Sequence, residues 1–276
     1  DQGNRLPELP EVETTVRGVR PVVVGRKIHR VVVRERRMRW PVSRGLNRTL
    51  NGYHVASVSR RAKYILLNFS HGTLMIHLGM SGRLRVVPVD TPYVKHDHVD
   101  FVLDSGKVLR FHDPRRFGSI LWVGEDAANS KLLKNLGPEP FDETLTAVAL
   151  YRVSRGRKTS IKQFIMDGRV IVGVGNIYAS EALFRAKIRP GRAAGRVTLP
   201  RFGQLLDAIR QVLSEAIKAG GTTLRDYSRV TGEPGYFEQS LDVYERAGQP
   251  CVNCATVIRR KVIGQRASYY CPRCQI

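Results

Sequence analysis

Along the chain the spacing of apolar residues changes character twice. After Pro7, the run Pro10–Val19 predicts a helix, with Pro10 suited to the first helical position and Glu11 and Glu13 complementing the positive end of the helix dipole. From about Lys27 the pattern becomes short β-rich runs: "KIHRVVVR", "YHVASVS", "YILLNF", "TLMIHL", "RLRVVPV", "HVDFVL", "KVLRFH" and "SILWV", separated by Gly, Asn, Asp, Ser or Pro. Asp104-Ser105-Gly106 reads as a hairpin turn between two of them. Eight such runs predict a β-sandwich or barrel. The segment Asn135–Glu143, "NLGPEPFDE", punctuates the chain with Gly-Pro and Glu-Pro. Beyond it "LTAVALYRVS", "SIKQFIMD", "IYASEALFRA" and "RFGQLLDAIRQVLSEAIKAG" place apolar residues at i, i+3 and i+4, which is helical spacing. Gly220-Gly221 ends the last helix, and Thr222–Ser240 reads as a long polar loop before a cysteine-bearing tail.

Charge sharpens this plan. Lys and Arg number 46 against 24 acids, a formal +22, and the excess is spread along the chain. A polyanionic partner follows, nucleic acid ahead of acidic lipid; a generically basic soluble protein is the plainer alternative. With 276 residues and 42% hydrophobic content, two domains and a small third module are expected. No run of about 18 apolar residues and no apolar leader region occurs, so neither a membrane span nor a secretory signal is expected.

All four cysteines follow residue 250, in the order Cys251-x2-Cys254-x16-Cys271-x2-Cys274. Two close thiolate pairs joined by a hairpin suit a tetrahedral Zn²⁺ site; two disulfides are the alternative. That hairpin, "TVIRRKVIG" and "ASYYC", would present Arg266 to a phosphate. "GVGNIYASEALF" offers a Gly-rich turn with Asn176 as the expected N-cap of the next helix, which fits either a phosphate site or a structural cap. Met80 in "HLGMSGRL" and Arg115 and Phe117 in "HDPRRFG" lie in loops, where they are either satellite core residues or groups that insert into DNA. Arg60, Arg61 and Lys63 read as a solvated face, and the two histidines of "KHDHVD" lack a third metal ligand at useful spacing. Pro7, Glu8 and Glu11 fit a simple helix entry. They also fit covalent chemistry, because a proline with a free amino terminus is a secondary amine that forms an iminium, with carboxylates beside it to move protons.

"PELPEVET", "RRAKYILL", "HLGMSG", "KHDHVD", "DPRRFG", "NLGPEP", "GVGNIYASEALF", "GGTTLRDY", "GYF" and the four-cysteine element occur in one order. From Pro7 to the C-terminus the chain closely resembles bacterial formamidopyrimidine-DNA glycosylases, base-excision enzymes for oxidised purines. The resemblance implies an α+β multidomain fold: an N-terminal β-sandwich with a flanking helix (7–136), a linker (137–150), a helix–two-turns–helix domain with a lesion loop (151–243) and a C-terminal β-hairpin zinc finger (244–276). It implies one structural Zn²⁺ on Cys251, Cys254, Cys271 and Cys274. It makes Pro7 the nucleophile that attacks C1′, Glu8 the acid/base with Glu11 supporting it, Lys63 a residue of β-elimination and Arg266 one of δ-elimination. His96, Arg115, Arg157, Lys162 and Asn176 fall on DNA-binding positions, with Met80, Arg115 and Phe117 as a wedge filling the gap beside the opposite cytosine. The implied partner is double-stranded DNA carrying oxidised purines or abasic sites, met as a monomer in the cytoplasm at the bacterial nucleoid, with no membrane association. An endonuclease VIII-like glycosylase for oxidised pyrimidines is the nearest alternative, although its usual Pro-Glu-Gly-Pro start differs at Leu9. A catalytically silent damaged-DNA-binding protein is the other, because with Asp1–Leu6 attached the Pro7 nitrogen is an amide and cannot form the iminium. Leu6 stands where the family has a removable Met, and is expected to mark a leucine-type start codon, leaving residues 1–6 outside the active enzyme.

Overall fold

A computed structural model describes residues 7–220 and 241–276; residues 1–6 and the expected loop Thr222–Ser240 lie outside the described residues. Residues 7–134 form one compact unit, and residues 135–218 with 241–276 form another.

The first unit opens with helix α1 (Leu9–Val23). Its first turn places Leu9 ahead of Pro10, so the proline occupies the second helical position, where its missing N–H is still harmless. The helix runs four residues past the expected Val19, through Pro21. Val12, Val16, Val19 and Val23 continue one buried stripe, and that packing outweighs the hydrogen bond the proline removes near the helix end. Eight strands follow: β1 (Ile28–Val33), β2 (Ser57–Arg61), β3 (Tyr64–Phe69), β4 (Gly72–His77), β5 (Arg83–Pro88), β6 (Asp97–Leu103), β7 (Lys107–His112) and β8 (Ser119–Gly124). They pair antiparallel into two four-stranded sheets, ordered β1-β6-β7-β5 and β2-β3-β4-β8. Ile28, Val99, Phe101, Leu109 and Phe111 of the first sheet share one core with Ile65, Leu67, Leu74, Ile76 and Ile120 of the second and with the α1 stripe, as a sandwich requires. One expected strand is displaced. In "YHVASVS" only the end joins β2, because Tyr53 and Val55 hydrogen-bond instead to the backbone of Gly25–Ile28. A short helix, α2 (Leu46–Leu50), was not marked by any periodicity.

The second unit holds α3 (Ala147–Ser154), α4 (Ile161–Met166), α5 (Asn176–Arg185) and α6 (Leu199–Lys218), followed by the hairpin β9 (Arg259–Ile263) and β10 (Arg266–Tyr270). Thr146 and Ser160 cap α3 and α4 by accepting from the N–H groups of Ala149 and Gln163. Phe164 and Tyr151 meet Phe202 of α6 edge to face, at ring-centroid separations of 6.0 and 6.5 Å. The hairpin packs against the helices of its unit through Phe184, Val243, Ile258 and the buried cysteines. Among the described residues no helix is long and apolar enough to cross a membrane.

Candidate active site and metal centre

Pro7 is buried and leads directly into the N-terminus of α1. Glu8 is the N-cap residue and closes a reciprocal box with Glu11. The Glu8 N–H donates to the Glu11 carboxylate at 2.9 Å, and the Glu8 carboxylate accepts from the Glu11 N–H. Both side chains are almost wholly buried, at 2% and 1% exposed. The two acids are therefore buried with each one's backbone N–H satisfied by the other's carboxylate, a geometry that fits a capped helix entry and also keeps two carboxylates out of water directly after Pro7.

Lys63 occupies the two-residue turn between β2 and β3, after Ala62 at φ 52°. This turn is tied to α1: Arg60 donates to the Glu13 carboxylate at 2.9 Å and to the Ala62 carbonyl at 2.9 Å. Arg60 therefore does not belong to a solvated face, contrary to the sequence expectation; its side chain is 11% exposed and works as a strut. His77 pairs with Tyr64 across β3 and β4, and its Nδ1 accepts from the Gly79 N–H at 3.0 Å. Burial, and the positive charges of Lys63 and Arg39, push its pKa down to about 4. His77 is thus a neutral member of a cationic neighbourhood.

The loops carrying Met80, Arg115 and Phe117 are locked to each other by Asp113, which is fully buried. Its carboxylate accepts from the Ser81 hydroxyl at 2.6 Å and from the Gly118 N–H at 2.8 Å, while Ser81 Oγ accepts from the Arg115 N–H at 3.2 Å. Gly79, at φ 65°, lies so close to the Phe117 backbone that a Cβ there would collide with it. On this hydrogen-bonded base Met80 is half-buried, Arg115 is exposed, and Phe117 is 41% exposed beneath the Arg115 guanidinium at 5.2 Å. His96, at φ 75°, accepts through its carbonyl from the Asp113 N–H, so it borders the same loop. His98 turns inward and shares a 2.8 Å hydrogen bond with the Asp113 carbonyl. Asp113 and Ser81 went unnoticed in the sequence. Asp-Pro at a loop start was the available signal, and only the fold shows what the carboxylate holds.

In the second unit the structure corrects two expectations. Asn176 is the first helical residue of α5, and Gly175 is its N-cap. The Asn176 side chain is drawn elsewhere: it accepts from Lys162 Nζ at 2.6 Å and donates to the Ala267 carbonyl at 3.1 Å. Lys162, expected to touch DNA, is 1% exposed, and its ammonium gives three hydrogen bonds, to Asn176 Oδ1, the Ala267 carbonyl at 2.9 Å and Ser268 Oγ at 2.6 Å. With three donors used and no surface left, it fastens α4 and α5 to β10. Arg266 is the residue before this anchor. It is exposed, and it follows a two-residue hairpin turn with Gly264 at φ 55° and Gln265 at φ 63°. Arg157 is exposed, with its guanidinium carbon 5.6 Å from the Phe164 ring centroid. Glu181 is a buried acid that sequence reading passed over. Its carboxylate accepts from the N–H groups of Asp242, Val243 and Tyr244 at 2.7 to 3.0 Å and thereby sets the entry to the finger.

Cys251, Cys254, Cys271 and Cys274 bring their sulfurs within 4.8 Å of one another, and no other such group of three or more metal-ligand side chains occurs among the described residues. The close pairs, Cys251–Cys274 at 3.8 Å and Cys254–Cys271 at 3.5 Å, are far outside disulfide bonding distance. Four thiolates about 2.3 Å from one zinc ion would lie about 3.8 Å apart, so the set fits tetrahedral zinc. Backbone N–H groups of Asn253 and Cys274 already point at Cys251 Sγ and Cys271 Sγ. These four cysteines are the ligands of one structural zinc ion.

Three family models match in sequence order: the formamidopyrimidine-DNA glycosylase N-terminal domain over residues 6–120, the formamidopyrimidine-DNA glycosylase H2TH domain over 136–228, and the zinc finger found in FPG and IleRS over 248–276. The formamidopyrimidine-DNA glycosylases of Alcanivorax borkumensis and Syntrophotalea carbinolica are 57% and 58% identical over 270 residues, covering 98% of this chain and all of theirs. Lactococcus lactis Fpg, solved with DNA containing an abasic site and with DNA containing N7-benzyl-Fapy-dG, superposes with a TM-score of 0.90 at 32% identity over 98% of this chain and 99% of that one. This chain belongs to the formamidopyrimidine-DNA glycosylase family.

Proposed function

We propose that the protein excises oxidised purines from duplex DNA and then cleaves the strand at the resulting abasic site. The observation that carries this reading is the buried Glu8–Glu11 box set immediately after Pro7 in a chain of this family. A base inside a stacked duplex hides its C1′, so the nucleotide is first extruded. The cost of unstacking, a few kcal/mol, is offset by Met80, Arg115 and Phe117 filling the gap and by cations on the phosphates. Pro7 then forms a bond from its secondary amine to C1′ as the glycosidic bond breaks and the base leaves with a proton. Glu8 supplies and recovers protons as the sugar ring opens, with Glu11 holding it in place. The iminium acidifies the C2′ proton; its loss expels the 3′ phosphate, and a second elimination expels the 5′ phosphate. Lys63 and Arg266 assist these eliminations by holding phosphates, and His96, Arg157 and Asn176 add DNA contacts. This chemistry requires the Pro7 nitrogen to be free, so the active form starts at Pro7. The zinc ion folds the finger that presents Arg266 and takes no part in bond making. The enzyme works as a monomer in the bacterial cytoplasm, at the nucleoid.

Paired assays on duplexes containing 8-oxoguanine opposite cytosine or thymine glycol opposite adenine test the substrate class. Faster excision of 8-oxoguanine supports the reading. A preference for thymine glycol would instead establish the endonuclease VIII-like alternative.

A further inference from the structure

Residues 34–44, "RERRMRWPVSR", hold five arginines and one acid. Most of that charge is already engaged. Arg34 donates to Asp100 at 2.7 Å, Arg37 pairs with Glu35 at 2.7 Å, and Arg36 donates to the Val42 carbonyl. Arg39 and Trp40 are exposed neighbours, Trp40 by 51%. Isolated exposed apolar residues are ordinary on protein surfaces, so exposure alone decides nothing. What singles out Trp40 is how firmly its segment is built outward. Met38 and Val42, on either side, are buried in the sandwich core. The Arg39 N–H donates to the Arg116 carbonyl at 2.8 Å, the Ser43 N–H donates to the Ile120 carbonyl at 3.2 Å, and Ser43 Oγ accepts from the Trp122 N–H at 2.9 Å. Pro41 further restricts the Trp40 backbone. Segment and wedge loop are thus stitched together at Arg116, the residue between Arg115 and Phe117. The charge of Arg39 also reaches His77, beside the Lys63 turn.

We propose that Arg39 and Trp40 form an additional DNA contact, a stacking and guanidinium platform for the undamaged strand next to the Met80–Arg115–Phe117 wedge. The inference rests on the function proposed above and extends its DNA surface. An indole face beside a cation suits a base or deoxyribose whose phosphate lies within reach, and such stacking is tolerant of sequence. Rigid anchoring means that little conformational freedom is lost on binding.

The chain has two tryptophans, Trp40 and Trp122, so the difference in emission between the native chain and Trp40→Phe isolates Trp40. The probe is a duplex with a tetrahydrofuran abasic analogue opposite cytosine, which cannot be cleaved by imine chemistry. The expected result is that binding quenches the Trp40 emission and shields it from iodide. The response should disappear when the undamaged strand is cut back on one side to the base facing the lesion. Trp40→Ala should weaken binding roughly tenfold, and Trp40→Phe less. Unchanged Trp40 emission and iodide access in the saturated complex would overturn the proposal, as would a Trp40→Ala affinity equal to that of the native chain. Borohydride trapping on an 8-oxoguanine duplex tests the parent reading separately. A chain that traps DNA yet shows no Trp40 response overturns the platform alone, and one that neither traps nor binds overturns both.

Discussion

Lys162 shows how a cation in a basic, DNA-directed chain can be structural. Its three acceptors come from α5 and β10, and removing the ammonium takes their Lys162 donor from Asn176 Oδ1 and Ser268 Oγ, while the Ala267 carbonyl keeps the Asn176 amide. Lys162→Met is expected to destabilise the second unit by roughly 2–3 kcal/mol in urea unfolding, the usual cost of stranded buried polar groups. The salt dependence of DNA binding should keep its slope, since a lost phosphate contact would lower that slope by about one. His77 carries a second prediction. Its folded-state pKa of about 4 lies below its ordinary 6.5, so the unfolded chain takes up a proton first as pH falls. The contribution of the neutral imidazole is therefore complete above pH 6.5 and is lost, at up to about 1.4 kcal/mol per pH unit, as pH falls toward 4. Unfolding curves at pH 7 and pH 5 should converge for His77→Gln relative to the native chain. A pH response identical in both proteins would contradict the assignment.

At the scale of elements, the apolar pattern located eight strands and five helices: β3 alternates buried and half-buried positions and α1 and α6 bury one stripe, whereas β6 is buried throughout and registers only as a short apolar run. Where other forces decide, the pattern was silent or misleading. Tyr53–Val55 looked like a strand and is hydrogen-bonded backbone of another kind, and α2 is too short for a repeat to register. The candidate site was legible to the extent that its residues sit in local motifs, Pro7, Glu8 and Glu11 at a helix start and four cysteines around a hairpin, whereas Lys63 read as part of a solvated face and was singled out only by the family resemblance. It was illegible wherever a role depends on a distant partner, as with Asp113 bridging two loops, Glu181 holding Asp242–Tyr244, and Lys162 turned inward. The finger offers its own test. Every cysteine of the chain lies in it, so titrating four thiols with a mercurial should release one zinc ion per chain and abolish specific duplex binding. Zinc release without loss of binding would mean that Arg266 is presented by the hairpin alone.

For the whole molecule, a formal charge of +22 sets a strong, sequence-independent attraction to DNA that salt should weaken steeply. Attraction alone would suit a binding protein as well as an enzyme; the difference rests on one nitrogen. Glu8 and Glu11 are buried and mutually bonded directly after Pro7, where the proposed proton transfers would take place, and the proposed iminium chemistry is closed to a Pro7 amide. The decisive measurement is borohydride trapping on a duplex with 8-oxoguanine opposite cytosine, performed with the chain beginning at Asp1 and with a chain beginning at Pro7. The account predicts a covalent protein–DNA adduct only from the chain that begins at Pro7. No adduct from either chain, while both still bind the damaged duplex, would contradict it and leave a protein that recognises damage without repairing it.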